Sequence, residues 1–497
     1  MKKILSLPCM VIALLLLTSA SSESSITNKT QSTYRSHGTN QALLDGAGIT
    51  SIIHRKDTEK FGGFIQTIPW YMQGEMDATY WAPTNKNNFT FGTAGANTST
   101  VNPAYTEVKT TDLDARLFVL KTRAATGTAE SEVGKISFDP SQHAYGITMF
   151  YDQRLDAVIR GLFFTINLPF VCIQNNMNPQ FLGTQGKILE DYFTGKTIAP
   201  SNAADPTDAQ DPLTNALLTT PASLTGIADL DLQLGFMFLE NKTSRASVHV
   251  GLTVPTGQQP TGKYVFDALA GNSRHFGFGG GLTLDLRLWG TPDQNITLHT
   301  AVVARYLLES AEGRTLGIKD VAYGHYRLLS PISYDATDAN HPYKHQLNKA
   351  LVPAANILTC NTLVTPRGLF DGTISLEYNY NNVALNVGYN LFLRQKESVI
   401  LSGSNPLDGK KYALIQPNLT TNTENYRLEK VLDATDLDTT VATSPSQRSH
   451  KVYGSISYTF KEWDAHYFMS LGGHYEFADG KRGLEGWGIN CRVGIGI

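Results

Sequence analysis

The chain has 497 residues, 41% hydrophobic and only 17% charged, with a formal charge of -3; an ordinary soluble domain carries roughly 25% charged residues. That much hydrophobicity with so little net charge excludes a disordered polymer, and Lys+Arg 41 against Asp+Glu 44 leaves no basic excess for a nucleic-acid partner. After residue 20 no run of about 18 apolar residues occurs, so membrane-spanning helices are excluded as well.

Lys2 and Lys3 precede an apolar run from Ile4 to Leu17, and Thr18-Ser19-Ala20 supplies small residues for cleavage, so residues 1–20 read as a secretory signal peptide. Its removal takes Cys9 and leaves Cys172, Cys360 and Cys491, an odd set without CxxC or His-spaced pairs. Spacing leaves a Cys172–Cys360 bridge open. Residues 21–60 are polar, without apolar periodicity, and suit either a periplasmic tail or a plug.

Along most of residues 61–497 the hydrophobic period is two. In Phe276–Trp289, Phe276, Phe278, Leu282, Leu284, Leu286 and Leu288 share one face, while His275, Gly277, Gly279, Gly281, Thr283, Asp285 and Arg287 share the other. Val383–Leu393 divides the same way, with Val383, Leu385, Val387, Tyr389, Leu391 and Leu393 against Ala384, Asn386, Gly388 and Asn390. Such dyads predict strands. In chain order they fall at about 61–72, 143–152, 160–171, 228–240, 244–254, 276–289, 294–308, 369–380, 383–393, 450–460, 465–477 and 486–497. Each is long enough for the ~9–11 tilted residues that cross a bilayer as β, whereas strands of globular proteins average about 5–6.

Connections alternate. Residues 153–157, 241–243, 290–293, 381–382 and 461–464 are tight; 172–227, 255–273, 309–368 and 397–449 are long, the asymmetry of outer-membrane barrels with short periplasmic turns and long outer loops. Aromatic residues near the strand ends on the apolar face (Tyr145, Tyr151, Tyr378, Tyr380, Tyr458, Phe460, Tyr475, Phe477, Trp487) suit two interfacial girdles. The fold class predicted is therefore all-β: an antiparallel transmembrane barrel of about 12 strands with long extracellular loops, or about 14 if 113–121 and 316–329 also span. The terminal strand, with Trp487, Ile489, Val493, Ile495 and Ile497 on one face, resembles the C-terminal strand that outer-membrane proteins present to the barrel assembly machinery, although Ile497 stands where those proteins carry an aromatic residue.

If the apolar faces meet lipid, the alternate residues line the interior: Arg160, Asp229, Asp231, His249, Asp285, Arg287, His299, Arg305, Glu377, His466, His474, Glu476 and Arg492. A wet lumen lets such charges keep their hydration. Pairing across the wall, as Asp285 with Arg305 or Arg287 with Glu377, is the plainer reading beside a ligand site, and mixed sign predicts weak ion selectivity. A barrel this small is narrow; Gly277, Gly279 and Gly281 would widen it locally or admit a loop. In the loops, Lys187–Phe193 and Pro212–Leu218 suit short helices. Acidic residues at Asp433, Asp436 and Asp438 read as solvated charge, with an external calcium or ligand site as the alternative.

No GxSxG, HExxH, P-loop or EF-hand pattern occurs, and His466, His474 and Glu476 have no metal-ligand spacing, so neither a metal nor a cofactor is expected. Gly251–Gly257 (GLTVPTG), followed by Gly277–Gly281, is similar to a strand-end pattern in outer-membrane transporters of aromatic and hydrophobic compounds. Asn102-Pro103-Ala104 resembles the NPA tripeptide of long-chain fatty acid transporters, though it stands later in the chain here. That resemblance covers some tens of residues and implies a barrel plugged by an N-terminal hatch. The resulting expectation is a non-enzymatic Gram-negative outer-membrane channel or transporter whose partners are membrane lipid and small solutes. The alternatives are an adhesin or structural barrel acting through its loops, and an outer-membrane hydrolase.

Overall fold

A computed structural model describes residues 31–35, 62–77, 80–81, 88–93, 113–114, 117–119, 131–183, 186–199, 209–218, 222–291, 293–338, 342–346, 349–417, 426–460, 467–479 and 483–496. The proposed signal peptide, the NPA tripeptide and His466 lie outside them. Twelve strands close into a barrel: β1 (Gly63–Met76), β2 (Ser141–Arg154), β3 (Leu162–Asn176), β4 (Leu230–Glu240), β5 (Ser244–Val254), β6 (Gly277–Gly290), β7 (Gln294–Leu307), β8 (Arg367–Tyr380), β9 (Val383–Arg394), β10 (Gln447–Phe460), β11 (Tyr467–Ala478) and β12 (Leu484–Gly496). Each pairs antiparallel with its chain neighbours, and β12 returns to β1 in a register running from Phe64↔Gly496 to Met76↔Leu484. Closure leaves no unpaired edge, the condition for placing strands in lipid.

Alternation sets which face meets what. On β9 Val387 is 71% exposed while its neighbour Asn386 is 2% exposed, so the apolar set faces out. An apolar belt surrounds the barrel, with Tyr378, Tyr380, Tyr458 and Trp289 exposed near the tight-turn end and Tyr145, Tyr475, Phe477 and Trp487 near the other. This is an outer-membrane barrel by architecture. In the segments 113–121 and 316–329 the described residues form Leu113–Asp114, Gly317–Ile318 and the start of Leu328–Tyr334, strands that all lie outside the barrel sheet.

Turn chemistry explains the tight end. The Asn241 side chain accepts from the backbone N–H of Thr243 (2.9 Å) and Ser244 (2.8 Å), closing the β4–β5 turn. Asn381 takes a left-handed φ of 52° in the two-residue β8–β9 turn, a conformation asparagine tolerates.

The register shifts at Ala246/Ser247 on β5 and at Arg287/Trp289 on β6, and the wall is irregular again on β3. Between the pairs Asn167↔Asp231 and Phe170↔Ile227, β3 places Leu168 and Pro169 opposite three residues, Ala228, Asp229 and Leu230. Pro169 has no N–H to give the ladder; its carbonyl accepts from the N–H of Ala228 (2.9 Å), and the partner chain bulges.

At the long-loop end the connections fold together over the barrel mouth around Trp81, Phe118, Tyr192, Phe193, Phe266 and Tyr326. A second cluster includes Leu316, Leu329, Leu358, Leu407, Leu414 and Leu432. Helix α1 (Gly186–Phe193) forms where expected, burying Leu189, Tyr192 and Phe193. The second expected helix does not: Ala216 and Leu217 donate to the carbonyls of Gly262 and Lys263, and Ala216 has φ 54°. No disulfide joins Cys172 and Cys360; both thiols and Cys491 are free, Cys172 lying in the wall on β3 and Cys360 in a loop strand.

Candidate solute path and its mouth

Register decides which of the expected interior residues meet. Asp285 on β6 pairs in register with His299 on β7, which pairs with Ser375 on β8. The His299 Nδ1 lies 2.8 Å from Asp285 Oδ1, and its Nε2 lies 3.8 Å from Glu377 Oε2. Asn379 Nδ2 donates to the other Glu377 oxygen (2.8 Å). Higher on the wall, Arg305 Nη1 lies 3.2 Å from Asp231 Oδ2, and Thr253 donates to Asp231 Oδ1 at 2.6 Å. On the far side Lys451 Nζ reaches Glu476 Oε2 at 3.7 Å, and Arg492 is buried on β12 in register with Ser470.

The expected pairs Asp285–Arg305 and Arg287–Glu377 do not form. Arg305 pairs with Gly279, three inward positions from Asp285, and Thr297 stands in register between Arg287 and Glu377. Arg160 is not on the wall: β3 begins at Leu162, leaving Arg160 exposed in the turn before it. The glycines on β6 accommodate neighbours and do not widen the lumen. The His249 ring lies over Gly281, and the side chains of Leu307 and Thr253 cover Gly277. His474 covers Gly488 in the same way. Asp229 occupies the bulge, fully buried, where it accepts from Gly257 N–H (3.2 Å) and Asn272 Nδ2 (2.9 Å), holding the loop 255–276 inward.

The interior is mixed. Across from the polar residues of β7 to β9, the inner faces of β1 to β3 present Phe64, Ile68, Trp70, Phe163, Val171 and Ile173 interspersed with Gln66, Thr148, Asp152, Thr165 and Asn167, all buried. Phe64 stacks on Phe150 at 5.4 Å between centroids, and the Trp70 indole N–H donates to Thr148 Oγ1 (3.2 Å).

The mouth carries a charged cluster that periodicity did not reveal. Arg35 is ion-paired with Glu312 and Glu397, both fully buried. Arg314 Nε donates to Glu312 Oε2 (2.6 Å), His275 Nε2 lies 2.7 Å from Glu312 Oε1, and the Ser444 N–H donates to Glu397 Oε2 (3.0 Å). The same segment is held at Ser32, whose N–H donates to the Val441 carbonyl (2.8 Å), and at Tyr34, whose ring packs edge-on against Tyr80 and Phe266. Burial alone would raise the Glu312 carboxyl, but Arg314 and Arg35 outweigh it and hold it well below the usual range; Glu397 is lowered in the same sense by Arg35 and Arg314. Residues 35, 312 and 397 are too far apart in sequence for any local pattern to join them.

The acidic loop residues are consumed by structure. Asp433 Oδ1 accepts from the N–H and hydroxyl of Thr435, Asp436 pairs with Lys430 at 2.5 Å, and Asp438 accepts from Thr440. Among the described residues no group of three or more His, Cys, Asp or Glu side chains is arranged to hold a metal ion.

No family model matches the chain, and no curated protein matches it. Solved structures similar to it include an outer membrane channel from Pseudomonas putida F1 (8% identity, 88% of this chain and 96% of that one, TM-score 0.36). A FadL homologue from Pseudomonas aeruginosa shares 9% identity over 94% and 95% of the two chains, TM-score 0.32. The CymD monoaromatic hydrocarbon channel shares 9% over 97% and 96%, TM-score 0.30.

Proposed function

We propose that the barrel is a non-enzymatic channel for small solutes that combine an apolar body with a polar group, and that its outer mouth is closed in the state described. The observation carrying this reading is the mixed interior: aromatic and aliphatic residues set among polar ones on β1 to β3, facing hydrogen-bonded polar groups on β7 to β9. Asp285, His299, Glu377 and Asp371 are kept inside, where each charge removed from water requires a partner. A solute crossing such a lumen exchanges hydration for wall contacts on its polar side and loses apolar surface to the other, about 25 cal/mol per Å².

Residues 21–60 act as a plug. Supporting this, Ser32–Arg35 sits in the mouth at the long-loop end, while Gly63, paired with Gln153, starts β1 at the tight-turn end. Insertion uses outer-membrane lipid and the barrel assembly machinery, with β12 as the strand presented.

The test is liposome swelling with solutes graded by size and polarity, alongside planar-bilayer recording. Low basal permeability that rises when residues 21–35 are deleted supports the reading. A barrel that stays impermeable with the segment removed refutes it.

A further inference from the structure

A shallow cleft of about 480 Å³ opens at the long-loop end, away from the lumen, between the hairpin containing Tyr334 and Tyr343 and the loops around residues 408–411 and 433–435. Its volume lies within the range of small-ligand sites, roughly 300–1,000 Å³. Tyr334 is 67% exposed and stands edge-on to Tyr343, with ring centroids 5.5 Å apart. That arrangement leaves one flat aromatic face turned to solvent.

The rim beside it is charged but balanced. Asp408 and Asp433 stand with Lys410 and Lys411, and Lys410 Nζ lies 6.0 Å from the Tyr343 ring centroid. One Asp433 oxygen is committed to Thr435. Such a rim has no net charge to favour an anion or a cation, yet it offers several donors and several acceptors within one small area.

The walls are fixed. Asn405 Nδ2 donates to the Ala434 carbonyl (3.0 Å), Ile332 N–H to the Lys411 carbonyl (2.9 Å) and Leu432 N–H to the Tyr412 carbonyl (2.9 Å), tying the three sides together. Beneath them lies the buried cluster of Leu329, Leu407, Leu414 and Leu432. Gly409 (φ 80°) and Lys410 (φ 51°) are consecutive left-handed residues on the rim, a conformation that costs a lysine energy and persists where the surroundings enforce it. A site preformed in this way spends little of its binding energy on ordering.

From these features we infer that the cleft binds an uncharged pyranose sugar. A pyranose has an apolar C–H face that fits against an exposed tyrosine ring, and hydroxyls that each donate to a carboxylate and accept from an ammonium or backbone N–H. The outer loops take this ligand whatever the lumen carries.

The experiment is saturation-transfer NMR on the full-length folded protein in detergent, with maltotriose as the probe and choline and N-acetylneuraminic acid as charged comparators. Transfer to the sugar ring C–H protons is expected, with roughly millimolar affinity. Tyr334→Ala should weaken it about tenfold, the loss of one aromatic face, and Tyr334→Trp should restore it. Heat-modifiable gel migration verifies folding, and Asp408→Asn, on the opposite rim, interrogates the same site if Tyr334→Ala does not fold. Transfer unchanged in Tyr334→Ala and in Asp408→Asn, no transfer at all, or stronger binding of either charged comparator overturns the inference.

Discussion

Replacing Arg35 with alanine removes the centre of the mouth cluster. Glu312 and Glu397, both at 0% side-chain exposure, then keep only Arg314 among the guanidiniums that now pair with them, at 2.6 Å and 3.5 Å. Removing one partner of a buried ion pair costs roughly 3–5 kcal/mol, because the remaining charge is left desolvated. Applied to a docked segment in equilibrium with a released one, about 4 kcal/mol shifts the ratio roughly a thousandfold. Arg35→Ala should therefore raise solute permeability in swelling assays and expose the N-terminal segment to thermolysin, and adding Glu397→Gln should reverse part of both effects. Burial makes the pair weakly screened, so salt should mimic the substitution poorly. Acid should not mimic it above pH 5. Both carboxyls are depressed in the folded state, so their contribution is complete above the ordinary glutamate value of about 4.3 and fades only as pH falls through the lower folded values. Permeability and proteolysis that match wild type in Arg35→Ala would refute the latch, as would opening between pH 7 and 5 that Arg35→Ala abolishes.

Asp267, in the loop 255–276, behaves oppositely: burial pushes its carboxyl up to about 6 against the pull of the Thr261 and Ala268 N–H groups. Its docking should strengthen as pH falls from 7 toward 4, by up to about 3 kcal/mol; Asp267→Asn should reduce that dependence in thermolysin cleavage of the loop, and an unchanged pH profile would contradict the assignment. Gly281→Val places a Cβ against the Val302 carbonyl oxygen and 2.5 Å from His249 Cε1, so both the neighbouring strand and the imidazole must move, and urea unfolding should show a loss of about 1–3 kcal/mol. The three remaining cysteines should react fully with a thiol reagent in denaturant without reductant, while Cys360, pushed up to about 11 by burial, should react slowly in the folded protein.

The barrel was legible because one physical rule repeats along the whole chain. Lipid outside and polar contacts inside impose period two, and a shift of one residue would turn Val387 inward and Asn386 into lipid. Each of the twelve expected segments is a strand of the barrel, with ends displaced by a few residues. Parity and the tight turns then fixed the sense of every strand. What periodicity cannot specify is the offset between neighbours. Asp285 and Arg305 share the inward face, yet the stagger of β6 against β7 places His299 beside Asp285 and gives Arg305 to Asp231. Inward glycines were likewise ambiguous, because whether they leave space depends on the neighbouring ring, and His249 fills that space at Gly281.

The mouth was illegible for a different reason. Its core joins Tyr34, Trp81, Phe118, Tyr192, Phe266 and Tyr326 from widely separated loops, and no alternation runs through any of them because none repeats a backbone geometry. The cluster around Arg35 illustrates the consequence. Each of its residues is an ordinary loop charge when read alone, and its meaning arises only from burial, since a solvated arginine near two glutamates is worth at most about 1 kcal/mol. The same limit conceals the Tyr334 cleft, whose walls belong to two loops some 70 residues apart but are tied by backbone hydrogen bonds. In this chain the lipid boundary writes itself into the sequence, whereas the outer surface, where gating and recognition are proposed here, is encoded in contacts that only folding brings together.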